Sequence, residues 1–220
     1  MSESNKEGWT ISPTSLAVLV TAAFVPTILL LAVTGFLVYP LRGEMEGARQ
    51  SVNTLTATVK RLESTLAEEM SHREIFLKVL VLKPDIDRAL AHEIADSIHH
   101  HAKQHDVDPD LVIAICRGES NFGKDEVSPQ GAVGLMQLLP GWLKVYEDPC
   151  DLKEVDCNIR NGVRLFKSYI DHYNGDVQKA LLVYNRGTNP VDIALSRGYD
   201  PGNGYVESIL GFYDKLKGLR

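Results

Sequence analysis

The sequence predicts a mainly α-helical domain with at most short strands, preceded by one membrane-crossing helix and a coiled-coil stalk. Three observations carry this expectation. No charged side chain occurs from Leu16 to Tyr39. Apolar residues from Leu41 to Leu66 then recur at alternating spacings of four and three. The remainder is a succession of capped, helical-period segments. The expected divisions are an N-terminal tail at 1–14, a transmembrane helix at 15–40, a stalk at 41–82 and an α domain at 83–220.

The uncharged run includes Ile28-Leu29-Leu30-Leu31-Ala32-Val33. At about 1.5 Å per residue it is long enough to cross a hydrocarbon core of about 30 Å. Pro26 lies inside it, which membrane helices tolerate better than soluble ones. A cleaved signal peptide is the competing reading. Against it stand the length of the apolar region and the lack of a small-residue cleavage site before Pro40-Leu41-Arg42. The leader is also not positive, since Glu3 and Glu7 outweigh Lys6. Orientation is less clear. Arg42, Arg49 and Lys60 follow the span while Lys6 precedes it, so the positive-inside rule mildly favours a cytoplasmic C-terminus.

The seam after the span runs through Leu41, Met45, Ala48, Val52, Leu55, Val59, Leu62 and Leu66. Val52 and Val59 fall at a positions, Leu55 and Leu62 at d positions, a combination that favours a parallel two-stranded coil. The pattern fades at Glu69 and Arg73. A homodimer through 41–70 is therefore expected, with a single amphipathic helix packed on the following domain as the alternative.

Lys83-Pro84-Asp85 punctuates the chain. Ile86, Leu90, Ile94 and Ile98 mark a helix up to His105. Its His99-His100-His101 run suggests a metal, but consecutive residues on a helix point about 100° apart and cannot share one ion. A solvated face is the simpler reading, and no metal site is expected. Asp108-Pro109-Asp110 is a helix start: a capping acid, proline at the first position and an acid in the first turn. Leu111 to Cys116 is apolar all round, so this helix should be central, ending near Gly123. Further helices are expected through Ile159, Val163, Phe166, Ile170 and Tyr173, after the capping candidate Asp176, and from Tyr205 to Leu216.

The composition, 44% hydrophobic and 24% charged over 220 residues, is that of a folded domain plus accessories. A net charge of −6 lacks the basic face that nucleic acid needs, so no such partner is expected. It offers no attraction for an anionic polymer either, which leaves the substrate open. Cys116 reads as a small core residue. Cys150 and Cys157 bracket Asp151 to Asp156. In an oxidising compartment they can close a ring worth roughly 2–3 kcal/mol, whereas zinc would need a second ligand pair.

Glu119 is the residue most in need of explanation. Val112, Ile115, Cys116 and Glu119 lie on one helix face. A carboxyl ending an apolar stripe loses hydration, which raises its pKa and suits a general acid. On periodicity alone, an ordinary solvated glutamate beside Arg117 and Gly118 is the better reading.

A resemblance reverses that preference. Glu119-Ser120-Asn121-Phe122, Ser128-Pro129-x-Gly131-Ala132-x-Gly134-Leu135-Met136-Gln137, Asn158-Ile159-x-x-Gly162 and Tyr184-Asn185-x-Gly187 follow in order. Together they resemble the signature of soluble lytic transglycosylases and their goose-type lysozyme relatives. Ala91 to Phe122 resembles the family's usual entry and Tyr205-Val206 its late aromatic position, so the likeness covers about residues 86–216. It implies a lysozyme-like α domain acting on peptidoglycan glycan strands with no cofactor. Glu119 would protonate the oxygen between N-acetylmuramic acid and N-acetylglucosamine, and the muramic C6 hydroxyl would replace water, leaving a 1,6-anhydro end.

The same resemblance assigns the cleft residue by residue. Ser120 would help hold it, or simply cap the helix end. Gly131 and Gly134 would let backbone approach the sugar, or serve as turn glycines of positive φ. Met136 and Gln137 would line it, unless they are a core Met and a surface Gln. Tyr184 and Asn185 would face Glu119, the hydroxyl orienting the carboxyl and the amide holding loop or sugar; a structural helix end is the alternative. Tyr205 would add an aromatic contact.

The chain departs from the family in Val183 and Arg186, where small residues are usual around the Tyr-Asn pair. Arg186 would touch glycan or peptide, or narrow the cleft. No second acid is evident, since nothing fixes Asp125 or Glu126 at the separation a two-carboxylate glycosidase needs. A hydrolytic muramidase of the same fold and a non-catalytic wall-binding assembly module are the rival functions. The expected location is the bacterial inner membrane, single-pass, with the catalytic domain on the periplasmic or cell-wall side.

Overall fold

A computed structural model describes residues 12–219. Residues 1–11 of the expected tail, and Arg220, lie outside the described residues. Helices dominate, and no strand occurs among the described residues, where antiparallel bridges join only Val127 to Val133 and Val133 to Leu138. The chain divides into two compact units, one ending at Ser64 and one from Thr65 onward.

Helix α1 spans Pro13–Leu82 and contains Pro26 and Pro40. In the first unit it is long and apolar enough to cross a membrane. Its threonines suit that environment, because Thr27 and Thr34 donate their hydroxyls to the carbonyls of Phe24 and Leu30 at 2.8 Å each. Along the seam, Leu41, Met45, Val52, Leu55, Val59 and Leu62 all stand exposed.

The second unit contains α2 (Arg88–His105), α3 (Pro109–Ser120), α4 (Gly141–Val145), α5 (Val155–His172), α6 (Val177–Arg186), α7 (Thr188–Ser196) and α8 (Tyr205–Lys217). Helix α3 is central, as its apolar run demands: every residue from Leu111 to Cys116 is buried. It packs on α2 and α8, while α5 packs on α2 and α6. Side-chain caps set the boundaries, at the expected Asp108 and Asp176 and also at Asp87, which the sequence reading did not single out. Asp108 accepts from the amide of Asp110 at 2.9 Å, Asp87 from Leu90 at 2.9 Å and Asp176 from Lys179 at 2.9 Å. The α3 helix stops earlier than expected, at Ser120, because Asn121 and Phe122 turn left-handed with φ of 52° and 61°. The short helices α4 and α7 carry no periodic signal and were not expected.

The compact unit reaches further toward the N-terminus than the punctuation at Lys83 indicates. Ile75, Val79 and Leu82, in the last turns of the segment read as stalk, are buried with the core of α2 and α3. The histidine run also departs from a purely solvated face: His101 is buried, its Nε2 2.7 Å from Asp156 Oδ1. Cys150 and Cys157 form a disulfide with Cα atoms 6.0 Å apart, and Cys116 is a free buried thiol.

The unit is tied together at one charged point. Asp110, 1% exposed, receives Lys78 Nζ from α1 at 2.7 Å and Lys217 Nζ from α8 at 2.7 Å. Lys217 also reaches Asp108 at 2.8 Å, and the Tyr213 hydroxyl donates to Asp108 at 2.9 Å. Three helices therefore meet on one carboxylate. Burying an ion pair contributes little net stability, but removing one partner strands the other charge in low dielectric. Asp110→Ala is expected to lower the unfolding free energy by about 3 kcal/mol or more. Urea denaturation would measure it, and a midpoint within error of wild type would show that the ammoniums of Lys78 and Lys217 find other partners.

Candidate active site

Glu119 closes the last turn of α3, where the buried run gives way to solvent, and its side chain is half-buried. The Tyr205 hydroxyl, from the first residue of α8, donates to Glu119 Oε1 at 2.6 Å. Burial pushes the carboxyl above the ordinary range, opposed by this hydrogen bond. Burial, then the neighbouring carboxyl, hold the Tyr205 phenol well above its usual value, so it remains a donor. The Tyr184 phenol is raised in the same way, by burial first and Glu119 second.

Ile209 of α8 packs directly over Gly118 of α3, where a methyl group would overlap its Cδ1. Ile209 lies one turn after Tyr205, so seating it aligns Tyr205 with Glu119.

The other wall is the loop from Val127 to Leu138, fixed by polar contacts to its backbone. Ser120 Oγ donates to the Leu135 carbonyl at 2.9 Å. Asn158, buried on α5, accepts from the Met136 amide and donates to the carbonyls of Val133 and Leu152, each at 2.8 Å. Gly134 has φ of +79°, and a side chain there would overlap the Asn158 amide. Gly131, with φ of +81°, has open space around it.

Several expected roles change on this geometry. The Tyr184 hydroxyl donates to the Met136 carbonyl at 2.7 Å, so the tyrosine bonded to the carboxyl is Tyr205. Met136 is fully buried, its side chain against Gly162, where a methyl group would overlap the sulfur. It holds the cleft through its backbone and is a core methionine. Gln137 does face the cleft, with φ of +49° and its amide donating to the Gly134 carbonyl at 3.0 Å. Asn185 is exposed at the cleft edge, its Oδ1 accepting from Asn203 at 2.9 Å. Arg186 donates to the Pro201 carbonyl at 2.8 Å.

Two recesses meet at Glu119, Ser128 and Gln137. One, of about 570 Å³, continues past Arg117, Ser208 and Phe212. The other, of about 450 Å³, continues past Trp142, Tyr169 and Tyr184. Sequence reasoning passed over Trp142, Tyr169 and Phe212; an aromatic side chain in a helical pattern gives no sign of whether it faces core or cleft. The arrangement is an open groove with a protonatable carboxyl at its centre, hydroxyl and amide donors around it and aromatic rings along one arm. It suits an extended polar polymer with apolar ring faces, and proton transfer at one bond of it.

Comparison with known proteins agrees with this geometry. Residues 96–204 match the family model described as the Transglycosylase SLT domain. A transglycosylase of Enterobacteria phage PRD1 is 35% identical over 99 residues, 45% of this chain and 37% of the relative. Among solved structures, an inactive mutant of the lytic transglycosylase Slt from Pseudomonas aeruginosa is 26% identical with a TM-score of 0.51, covering 56% of this chain and 24% of that one. The 70 kDa soluble lytic transglycosylase from Escherichia coli shares the fold at 20% identity and a TM-score of 0.52, covering 69% and 30%. The chain thus spans between about a quarter and about two fifths of the length of these relatives. The part of the chain that carries Glu119 and most of its cleft, residues 96–204, is thus similar to the transglycosylase SLT domain.

Proposed function

We propose that this domain is a peptidoglycan lytic transglycosylase that cleaves the bond between N-acetylmuramic acid and N-acetylglucosamine, with Glu119 as acid and then base. The observation that carries the reading is the Glu119 carboxyl, half-buried, raised in pKa and bonded to Tyr205 at the meeting point of the two recesses. The protonated carboxyl gives its proton to the glycosidic oxygen as that oxygen leaves C1. The resulting carboxylate takes the proton of the muramic C6 hydroxyl, whose oxygen bonds to C1 and closes the 1,6-anhydro ring. One carboxyl serves both steps, and the intramolecular attack gains from proximity, with effective molarities that reach about 10⁵ M or more. Glu126 is the other acid in the recess wall, and it stands exposed at the rim. Gln137, Ser120, Gly134, Tyr184 and Asn185 shape or line the groove in which the glycan lies.

Glu119→Gln is expected to lower glycan cleavage at least roughly a hundredfold. The same variant should melt higher than wild type at about pH 8, because a half-buried carboxylate is replaced by a neutral amide. The sign follows from the raised pKa: the stability that the protonated carboxyl confers is present at acid pH and lost as pH rises through its folded value. The gain should therefore fade toward the ordinary glutamate range of about 4.3. Mass spectrometry of the fragments should show 1,6-anhydromuramoyl ends, each lighter by one water than a hydrolysis product. Near-normal turnover by folded Glu119→Gln would remove the acid; reducing ends would make the enzyme a muramidase.

The apolar part of α1 at 15–40 is proposed as a membrane anchor and 41–70 as a homodimeric coil that tethers the domain. The exposed seam from Leu41 to Leu66 supports the coil, since apolar side chains at heptad spacing lower their free energy by pairing. The wall-facing side of the membrane follows from the substrate rather than from flanking charge. Detergent-solubilised full chain should sediment as a dimer and become monomeric with Val52→Lys and Leu55→Lys. A monomeric wild type would defeat the coil, and a reporter that works only in the cytoplasm, active when fused after Arg220, would defeat the orientation.

A further inference from the structure

We propose that Asn203, anchored by Asn185 and backed by Arg186, is a positioning residue that sets the Tyr205 hydroxyl on the Glu119 carboxyl. The inference rests on the function proposed above and concerns how its acid is held. The segment Asp200-Pro201-Gly202-Asn203-Gly204 leads into α8, and its two glycines give it little backbone preference of its own. Helix α8 follows Gly204, its N-cap residue, which has φ of 81° and makes no side-chain cap. The missing cap is supplied one residue earlier. Asn203 Oδ1 accepts from the amide of Tyr205 at 3.2 Å, while its Nδ2 donates to Asn185 Oδ1 at 2.9 Å. Arg186 Nη1 donates to the carbonyl of Pro201, whose ring is buried. The end of α6 therefore grips the segment at two points, and the segment grips the first residue of α8.

That residue is the one on which the carboxyl depends. Ile209 pins α8 against Gly118, but Tyr205 lies a turn earlier, where first-turn amides have no partner in the helix and the chain frays. Without the Asn203 contact the hydroxyl is free to swing off Glu119. The relay also accounts for Arg186, whose guanidinium holds the Pro201 carbonyl, and for Asn185, whose side-chain oxygen is committed to Asn203. Both are exposed at the cleft edge, yet each bonds to the segment rather than pointing freely into the groove.

The consequence is readable in pH dependence. Glu119 is faced by Cys116 from its own helix, Tyr184 from α6 and Tyr205 from α8, while Arg117, Glu126 and Arg186 line the recesses. Burial raises the carboxyl, and the Tyr205 hydroxyl is the partner that lowers it. A displaced hydroxyl leaves the burial unopposed, so the alkaline limb of activity, where the acid loses its proton, moves to higher pH.

The experiment is the pH profile of glycan cleavage by the full chain in detergent, for wild type, Tyr205→Phe, Asn203→Ala, Asn203→Asp and Arg186→Gln. Tyr205→Phe should lower the plateau rate roughly tenfold, the scale of a lost hydrogen bond to a charged group, and move the alkaline limb upward. Asn203→Ala should move the limb in the same direction, about half as far or more. Asn203→Asp should restore the wild-type limb, because its carboxylate still accepts from Tyr205 and the Asn185 amide can turn to donate to it. Should Asn203→Ala not fold, Arg186→Gln gives the same reading by a smaller upward shift. A limb that stays at the wild-type position in folded Asn203→Ala or Arg186→Gln, with the rate merely reduced, overturns the relay and leaves the proposed function standing. So does an unmoved limb in Tyr205→Phe. An inactive wild type defeats the proposed function itself, and the relay with it.

Discussion

Helix α8 seats Ile209 on α3 at Gly118, where α3 offers no side chain. The rest of the site follows from this constraint. Ile209 enters the space, α8 lies along the last turns of α3, and Tyr205 comes to stand over the residue next to Gly118, which is Glu119. The same close packing strips water from the carboxyl and raises its pKa. At the far end of the two helices the contact is closed by charge. Lys217, near the end of α8, reaches Asp108 and Asp110 at the start of α3. The α3–α8 pair is thus held at one end by a buried carboxylate between two lysines and at the other by a missing Cβ. The loop from Val127 to Leu138 completes the groove, its Leu135, Met136 and Leu138 side chains buried in the core. Its carbonyls and amides are taken up by Ser120, Asn158 and Tyr184, residues on three surrounding helices.

Much of this was legible in the sequence, and the reason is local. Asp108 and Asp176 announce helix starts because a short acidic side chain can satisfy an orphan amide within its own turn. The six apolar residues from Leu111 to Cys116 leave α3 no polar face, so it had to be central. Glu119 ends that run, but periodicity alone favours an ordinary solvated glutamate there, and only the ordered motifs around it reverse the preference. What the sequence concealed was contact between distant segments. The motifs put Tyr184 on the Glu119 carboxyl and left Tyr205 as an aromatic contact, and only the docking of α8 reveals that Tyr205 makes the bond. Met136 belongs to a motif yet works through its backbone, which a side-chain reading overlooks. Helices α4 and α7 are too short to show a period.

Charged residues misled in a consistent way. Lys78, beyond the point where the heptad pattern fades and not singled out in the sequence, is 6% exposed against Asp110. Asp110 in turn reads as a first-turn acid favoured by the helix dipole, which is true of its position and incomplete as an account of its burial. His101 likewise sits in a run that looks like a polar face, and bonds Asp156 from within the core. In each case the partner comes from another helix, so neither member of the pair carries a sign of it alone. Charge periodicity identifies exposed faces reliably only where no second charge waits across the packing interface.

A single carboxyl that must act first as acid and then as base faces opposed demands. Burial favours the protonated form and supplies the acid, but burial alone makes the carboxylate that remains after proton transfer costly. A hydrogen-bond donor relieves that cost, and it has to be one that never ionises at working pH and never competes for the proton. A tyrosine whose own pKa is pushed well upward by the same burial meets both conditions. The opposing influences on Glu119, desolvation raising it and the Tyr205 hydroxyl lowering it, are therefore two halves of one device. Desolvation sets the proton donor, and the hydroxyl steadies the base left behind. On the proposed mechanism the groove then needs no second carboxylate, because the group that completes the reaction is carried in by the glycan itself. A lone glutamate beside a firmly placed tyrosine is the minimum such chemistry requires, and the α3–α8 contact at Gly118 is what puts the two together.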